Sequence, residues 1–176
     1  MAEVSRVHSI PNQFGRRDEL SGAYIAGFVD GEGCFCVSFS KHQTSKRRLE
    51  VRPQFEIELR ADDKPVLERI KKVLDCGEIY HLDYERYKWS PHVKYKVAKI
   101  DDLKNKIIPF FKKNPLQAKK SRSFKIWSQV VEMVYKKEHL SYGGFQKIIK
   151  LRDKIRQSGK KNYEPPGYGK TVRPVA

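Results

Sequence analysis

The chain has no apolar run near the ~20 residues needed to span a bilayer, and Met1 to Arg17 holds no apolar block of signal-peptide type. Those two gaps set aside a membrane helix and secretion. The expectation is an intracellular protein, with organelle and prokaryotic cytoplasm both open. Cysteine is scarce, three among 176 residues. Cys34 and Cys36 stand two apart in a stretch that alternates like a strand, so they share a face. No second Cys or His pair at zinc-ligand spacing follows, which argues against a structural zinc site and for small reduced thiols. Acid is scarce too: 21 Asp and Glu stand against 37 Lys and Arg, a net charge of +16. Such a surplus repels itself in a compact chain and fits a polyanionic partner. Nucleic acid leads, and with no span the anionic membrane surface recedes.

What is present suffices for one folded domain. Hydrophobic residues make up 39% of the chain, enough to build a core at this length. The expected division is an arm at 1–17, a domain at 18–158 and a basic tail at 159–176. A helix is predicted from Asp18 or Ser21 to Asp30, with either residue as N-cap. The period then changes to two. Phe35, Val37 and Phe39 point one way, and Cys36, Ser38, Ser40 and His42 the other. A second alternating run sets Leu49, Val51, Phe55, Ile57 and Leu59 against Arg48, Glu50, Arg52, Gln54, Glu56 and Glu58. Two such runs make a hairpin with one apolar and one polar face. Val66, Leu67, Ile70, Val73 and Leu74 follow at helical spacing, behind Asp62 or Asp63 as cap. Two more strands are expected at 78–86 and 91–99, then a short helix at 101–111 and longer ones at 121–136 and 142–157. The order α-β-β-α-β-β-α plus C-terminal helices is an α+β domain over a four-stranded antiparallel sheet.

One stretch departs from ordinary patterning: Ile25-Ala26-Gly27-Phe28-Val29-Asp30-Gly31-Glu32-Gly33. Gly27 sits inside a bulky helix, where glycine costs about 1 kcal/mol relative to alanine. Close approach of another backbone would offset that. Asp30 and Glu32 stand at the helix C-terminus, where the macrodipole disfavours carboxylates by up to ~1 kcal/mol. Glycines beside them supply backbone freedom and room. Acids in an unfavourable field beside open space suggest a bound divalent cation, which reverses the local sign.

This stretch resembles the LAGLIDADG motif of homing endonucleases, position by position. Ile25 stands for Leu, Phe28 for Leu, Val29 for Ile, Gly31 for Ala and Glu32 for Asp, with Ala26, Gly27, Asp30 and Gly33 unchanged. Phe55-Glu56-Ile57 followed by Asp62-Asp63 resembles the family's second strand and helix. Pro115 to Lys120, with Phe124 four residues on, resembles the start of its third helix. The resemblance implies that family's fold, the αββαββα core already read from the pattern. It implies a homodimer in which motif helices pack through Ala26 and Gly27, with Asp30 at the helix end and subunit contact. It implies Glu32 as ligand of Mg²⁺, or of Mn²⁺ or Ca²⁺ at the same site, with help from the Gly31 carbonyl. The family's basic residue near the attacking water falls on Lys120 by spacing, with Lys119 second. Its polar residue at the end of the second strand falls on Leu59, a departure. The activity implied is a double-strand break in a long, near-palindromic DNA target, as in intron homing.

The polar sheet face is the expected DNA surface, since an antiparallel ribbon can enter the major groove. The candidates there are Ser38, Ser40, His42, Arg48, Arg52, Gln54, Tyr80, Lys94 and Lys96. Helix lysines and both termini are expected to meet phosphates. Two other readings stay open on the sequence. One is a non-catalytic nucleic-acid binder of the same fold, an intron RNA maturase or transcription regulator. The other is a basic ribosome-associated protein, which would explain the charge but not the motif.

Overall fold

The structure is a computed structural model that describes residues 19–41, 49–84 and 90–159. The expected arm, the tail beyond residue 159, and the candidates His42 and Arg48 lie outside the described residues.

Helix α1 runs Gly22–Glu32. Ser21 caps it, its side chain accepting from the Tyr24 N–H at 3.2 Å, which satisfies one of the orphan donors of the first turn. The helix continues two residues beyond the expected end at Asp30 and passes straight into β1, Gly33–Lys41. The glycines here serve space and not left-handed backbone. Gly33 has φ −73°, but a Cβ on it would meet Val29 Cγ1 at 2.5 Å and the Val29 carbonyl at 2.9 Å. Only glycine lets the strand leave so close to the helix that feeds it.

Strand β2, Leu49–Arg60, pairs antiparallel with β1 from Gly33↔Ile57 to Lys41↔Leu49. A 3₁₀ turn, Ala61–Asp63, leads into α2, Lys64–Leu74. Asp63 occupies the cap position of α2 without a side-chain cap bond. Strands β3, Glu78–Leu82, and β4, His92–Val97, complete a sheet of order β1-β2-β4-β3, all neighbours antiparallel. β4 stops two residues short of expectation because Lys99 already serves as N-cap of α3, Ile100–Asp102.

The short helix expected next is longer and not uniform. A π turn, Leu103–Ile107, joins α3 to α4, Ile108–Lys113. Pro109 has no N–H for the Asn105 carbonyl and its ring crowds that carbonyl, a local cause of widening. Helices α5, Lys120–Tyr135, and α6, Tyr142–Gly159, follow, with a 3₁₀ turn at Glu138–Leu140 between them. No described helix is long and apolar enough to cross a membrane.

All helices but the exposed surface of α1 work on the apolar sheet face. Phe35 on β1 lies 5.1 Å from the rings of Phe55 and Trp127, 5.2 Å from Phe124 and 5.6 Å from Phe111. Leu67 and Ile70 of α2, Leu103 and Ile107, and Val130 and Val131 of α5 are fully buried around the same sheet. Deleting an aromatic ring from such a core costs about 3–5 kcal/mol, so the platform beneath the polar face is stiff. Trp127 also donates its Nε1–H to the Cys36 carbonyl at 3.2 Å. That bond ties α5 to the outer edge of β1.

Candidate active site at the end of the motif helix

The two acids of the motif separate in role. Asp30 turns toward the loop before α5: its Oδ2 accepts the backbone N–H of Gln117 at 2.7 Å and of Ala118 at 3.2 Å. Its Oδ1 is buried without a hydrogen-bond partner among the described residues. Glu32 is exposed at the helix end, beside the exposed Gly31. The same loop delivers Lys120, whose Nζ donates to the Gly31 carbonyl at 3.0 Å. The unfavourable field at this helix end is thus offset in part by two N–H groups and an ammonium of the chain itself. Burial pushes the Lys120 pKa down, and that outweighs the opposing pull of Cys34, Asp30 and Glu32. Lys119, the second candidate, only precedes α5 as its cap and makes no side-chain cap bond.

Glu32 and the Gly31 carbonyl are hard oxygen donors, the ligand type of Mg²⁺, Mn²⁺ or Ca²⁺. They fit such an ion as part of a set. Among the described residues, no group of three or more His, Cys, Asp or Glu could hold a metal by itself. The described residues thus offer only part of a ligand set at this point. The cysteines are free, Cys34 exposed, Cys36 half-buried and Cys76 buried. A hydrogen bond from Cys36 holds the Cys34 thiol down to about 7, against its burial and Glu56, while the same contact and burial push Cys36 up.

The three residues expected at the subunit contact also part company. Ala26 is 5% exposed and packs in the chain's own core. Gly27 lies outside, and a Cβ there would meet nothing within 4 Å. Gly31 is open in the same way. Ala23, Gly27 and Gly31, four apart, therefore form a bare stripe along α1. The sequence spacing did not distinguish Ala26 from Gly27. The face buried by the sheet does.

On the polar sheet face, the candidates are brought together but not left free. Arg52 Nη2 pairs with Glu50 at 2.7 Å. Lys94 Nζ lies 3.0 Å from Glu58 and 3.5 Å from Glu56, and Lys96 Nζ 3.5 Å from Glu56. Gln54 is only 9% exposed. In the amide orientation that suits both neighbours, it donates to Glu56 at 3.0 Å and accepts from Lys96 at 3.1 Å. Tyr84 donates to Glu58 at 2.9 Å. Burial works against the Glu58 charge, but hydrogen bonds from Lys94 and Tyr84 outweigh it and hold its carboxyl below the usual range. Ser38 donates to the Arg52 carbonyl at 3.4 Å and Ser40 to Glu50 at 3.5 Å. Tyr80, beside Lys94 in register, is 49% exposed and open. The carboxylate partners were visible as Glu50, Glu56 and Glu58 in the sequence, on the face assigned to DNA. Their consequence needed the register.

Known proteins bear on this geometry. A family model described as LAGLIDADG endonuclease matches residues 25–131, from inside α1 to near the end of α5. The probable intron-encoded DNA endonuclease 1 of Mycosarcoma maydis is 34% identical over 101 residues, which are 57% of this chain and 34% of that protein. The chain thus spans about a third of that relative's length. The crystal structure of the homing endonuclease I-TnaI matches with a TM-score of 0.69 at 30% identity, covering 80% of this chain and 96% of that one. I-SmaMI, bound to uncleaved DNA target in the presence of calcium ions, matches with a TM-score of 0.71 at 27% identity, over 77% of this chain and 45% of that one. The motif at 25–33, the helix running directly into an antiparallel sheet, and a family match over more than half the chain agree: the chain belongs to the LAGLIDADG endonuclease family.

Proposed function

We propose that this protein is a site-specific DNA endonuclease, working as a homodimer with a divalent cation, Mg²⁺ first, and cutting both strands of a near-palindromic target. The observation that carries the reading is the convergence of Glu32, the Gly31 carbonyl and the Lys120 ammonium at one exposed helix end, 3.0 Å apart at the Lys120–Gly31 bond. Glu32 and Gly31 would hold the ion, which when bound polarises the phosphate and lowers the pKa of a water. Lys120 places a proton and a positive charge beside the phosphate, on a nitrogen whose pKa burial has moved toward the working range. Asp30 orients the loop that carries Lys120 through Gln117 and Ala118.

Three features support two chains. One chain brings a partial ligand set. The Ala23–Gly27–Gly31 stripe offers close approach to a second helix and is not required by the chain's own packing at Gly27 or Gly31. The buried Asp30 Oδ1 has no hydrogen-bond partner among the described residues, a gap that a donor of a second chain could fill. A two-fold pair of such sheets would read a target of matching symmetry. The likeness to I-SmaMI, bound to its DNA target with calcium, supports both the partner and the ion type.

The test selects cleavable sites from a randomised duplex library with Mg²⁺, then compares native protein with Glu32→Gln. The native protein cuts both strands and sediments as a dimer at micromolar concentration. The variant still binds the selected site but cuts at least about 10²-fold more slowly, the scale of losing one charge-stabilising group at a reacting centre. Binding without cutting by the native protein would move the chain to the non-catalytic binders. A monomer that cuts both strands would sink the dimer.

A further inference from the structure

The polar sheet face, where DNA is expected, balances its charge. Among the described residues, Arg52, Lys94 and Lys96 each sit within 3.5 Å of a carboxylate, and Glu50, Glu56 and Glu58 match them in number. The described part of this face therefore adds little to the chain's surplus of +16. One cleft stands out. It has a volume of about 560 Å³ and lies at the outer edge of β1, between that strand, the start of α5 and the end of α6. Lys120, Ser123, Arg152 and Arg156 line it, and no carboxylate does.

Its cations are set differently from those of the sheet. Arg152 is held over the Phe39 ring at 4.7 Å and by Asp153 of its own helix at 3.0 Å, so the guanidinium is fixed before any ligand arrives. Arg156 is exposed and makes no ion pair among the described residues. Lys120 donates its hydrogen bond to a carbonyl, that of Gly31, and not to a carboxylate. The cleft is continuous with the site, because Gly33 and Cys34, directly after Glu32, form its floor with Lys120 as a shared wall. Helix α6 lies beyond residue 131, where the family match ends.

We propose that this cleft is a phosphodiester-binding subsite, in which Arg152 and Arg156 hold a backbone phosphate of the DNA strand adjacent to the phosphate at Glu32. The assignment rests on the endonuclease reading and adds a contact to it. A guanidinium fork matches phosphate oxygens in a way an ammonium does not. A strand lying on Glu32 and Lys120 has the cleft as its next positive stretch, where Arg152 shares its charge with Asp153 and Arg156 makes no ion pair among the described residues. The shared chemistry would also suit a free inorganic phosphate, so the test separates the two.

The experiment measures binding of the full chain to a fluorescent duplex of arbitrary sequence across a salt series, with Ca²⁺ in place of Mg²⁺. Arg156→Ala is compared with Lys150→Ala, which removes an exposed cation of the same helix outside the cleft. Thermal melts confirm that both variants fold. Arg156→Ala should make the log K against log [salt] slope shallower by about one, as expected for one lost phosphate contact, and weaken all sequences alike. Lys150→Ala should leave the slope in place. Equal changes in both variants would reduce the cleft to general surface charge and overturn the proposal. A native slope kept by Arg156→Ala, with loss of thermal protection by inorganic phosphate, would make the occupant a free anion and also overturn it. A native protein that shows no salt-dependent duplex binding would overturn the endonuclease reading and the cleft together.

Discussion

The polar face of the sheet and the end of the motif helix both gather cations, yet those cations live in different company. On the sheet, Lys94 and Lys96 reach across to Glu56 and Glu58, and Arg52 to Glu50. At the helix end, Lys120 bonds a carbonyl and Arg156 has no carboxylate among the described residues. Cations already paired add little net field, while their geometry is fixed by neighbours. Such groups are suited to telling one base edge from another, and unpaired ones to holding a phosphate whatever the sequence. The contrast teaches that +16 is not spread evenly over function. On the proposed function, reading falls to the sheet and holding to the helices.

The largest expected effect would break the comparison at its catalytic end. Lys120→Met should slow cutting by about 10²-fold or more, the usual range for a positioned proton-transfer group, with DNA binding weakened far less. Lys94→Met should slow cutting of the selected site by less than Lys120→Met and should relax sequence preference instead. Single-turnover cleavage on the selected site and on single-base variants measures both. If the two variants lose rate equally, the division fails.

A smaller effect sharpens the sheet side. Glu56→Gln frees Lys96 and leaves Lys94 to Glu58 alone, so unrelated duplex should bind more tightly and the salt slope should steepen by about one. This is opposite in sign to Arg156→Ala. A shallower slope would mean that Glu56 orders the lysines for phosphate contact. The smallest effect is on stability. The Glu58 carboxyl is held low in the folded chain, so its contribution is present above the ordinary value of about 4.3 and is lost as pH falls through the folded value. The melting difference between native protein and Glu58→Gln should therefore be greatest above about pH 5 and shrink as pH falls below the ordinary carboxylate value. A difference that grows in acid would contradict the depressed carboxyl.

Much of this architecture was legible from local pattern. The period of two in 35–39 and 49–59 and the apolar repeats of α2 and α5 all appear in the sheet and helices as read, and of the two N-cap candidates of α1 the structure takes Ser21. The misses have physical causes. Helix α1 outran Asp30 because the strand takes over only where Gly33 lets it pass Val29. The π turn before Pro109 has no periodic signal of its own. Ala26 and Gly27 look equivalent as small residues, but the sheet covers one and leaves the other bare.

By itself, the sequence determined the motif, the helix that carries it and the presence of Glu32 at its end. These depend on residue type and short spacing, which chain connectivity preserves. Tertiary structure alone decided the company each group keeps. Asp30 meets Gln117 and Ala118 across more than eighty residues of chain, Lys120 comes to Gly31 by the same route, and α6 closes a cleft on β1. Those contacts follow from strand register and helix packing, where a shift of one residue would turn every side chain to the other face.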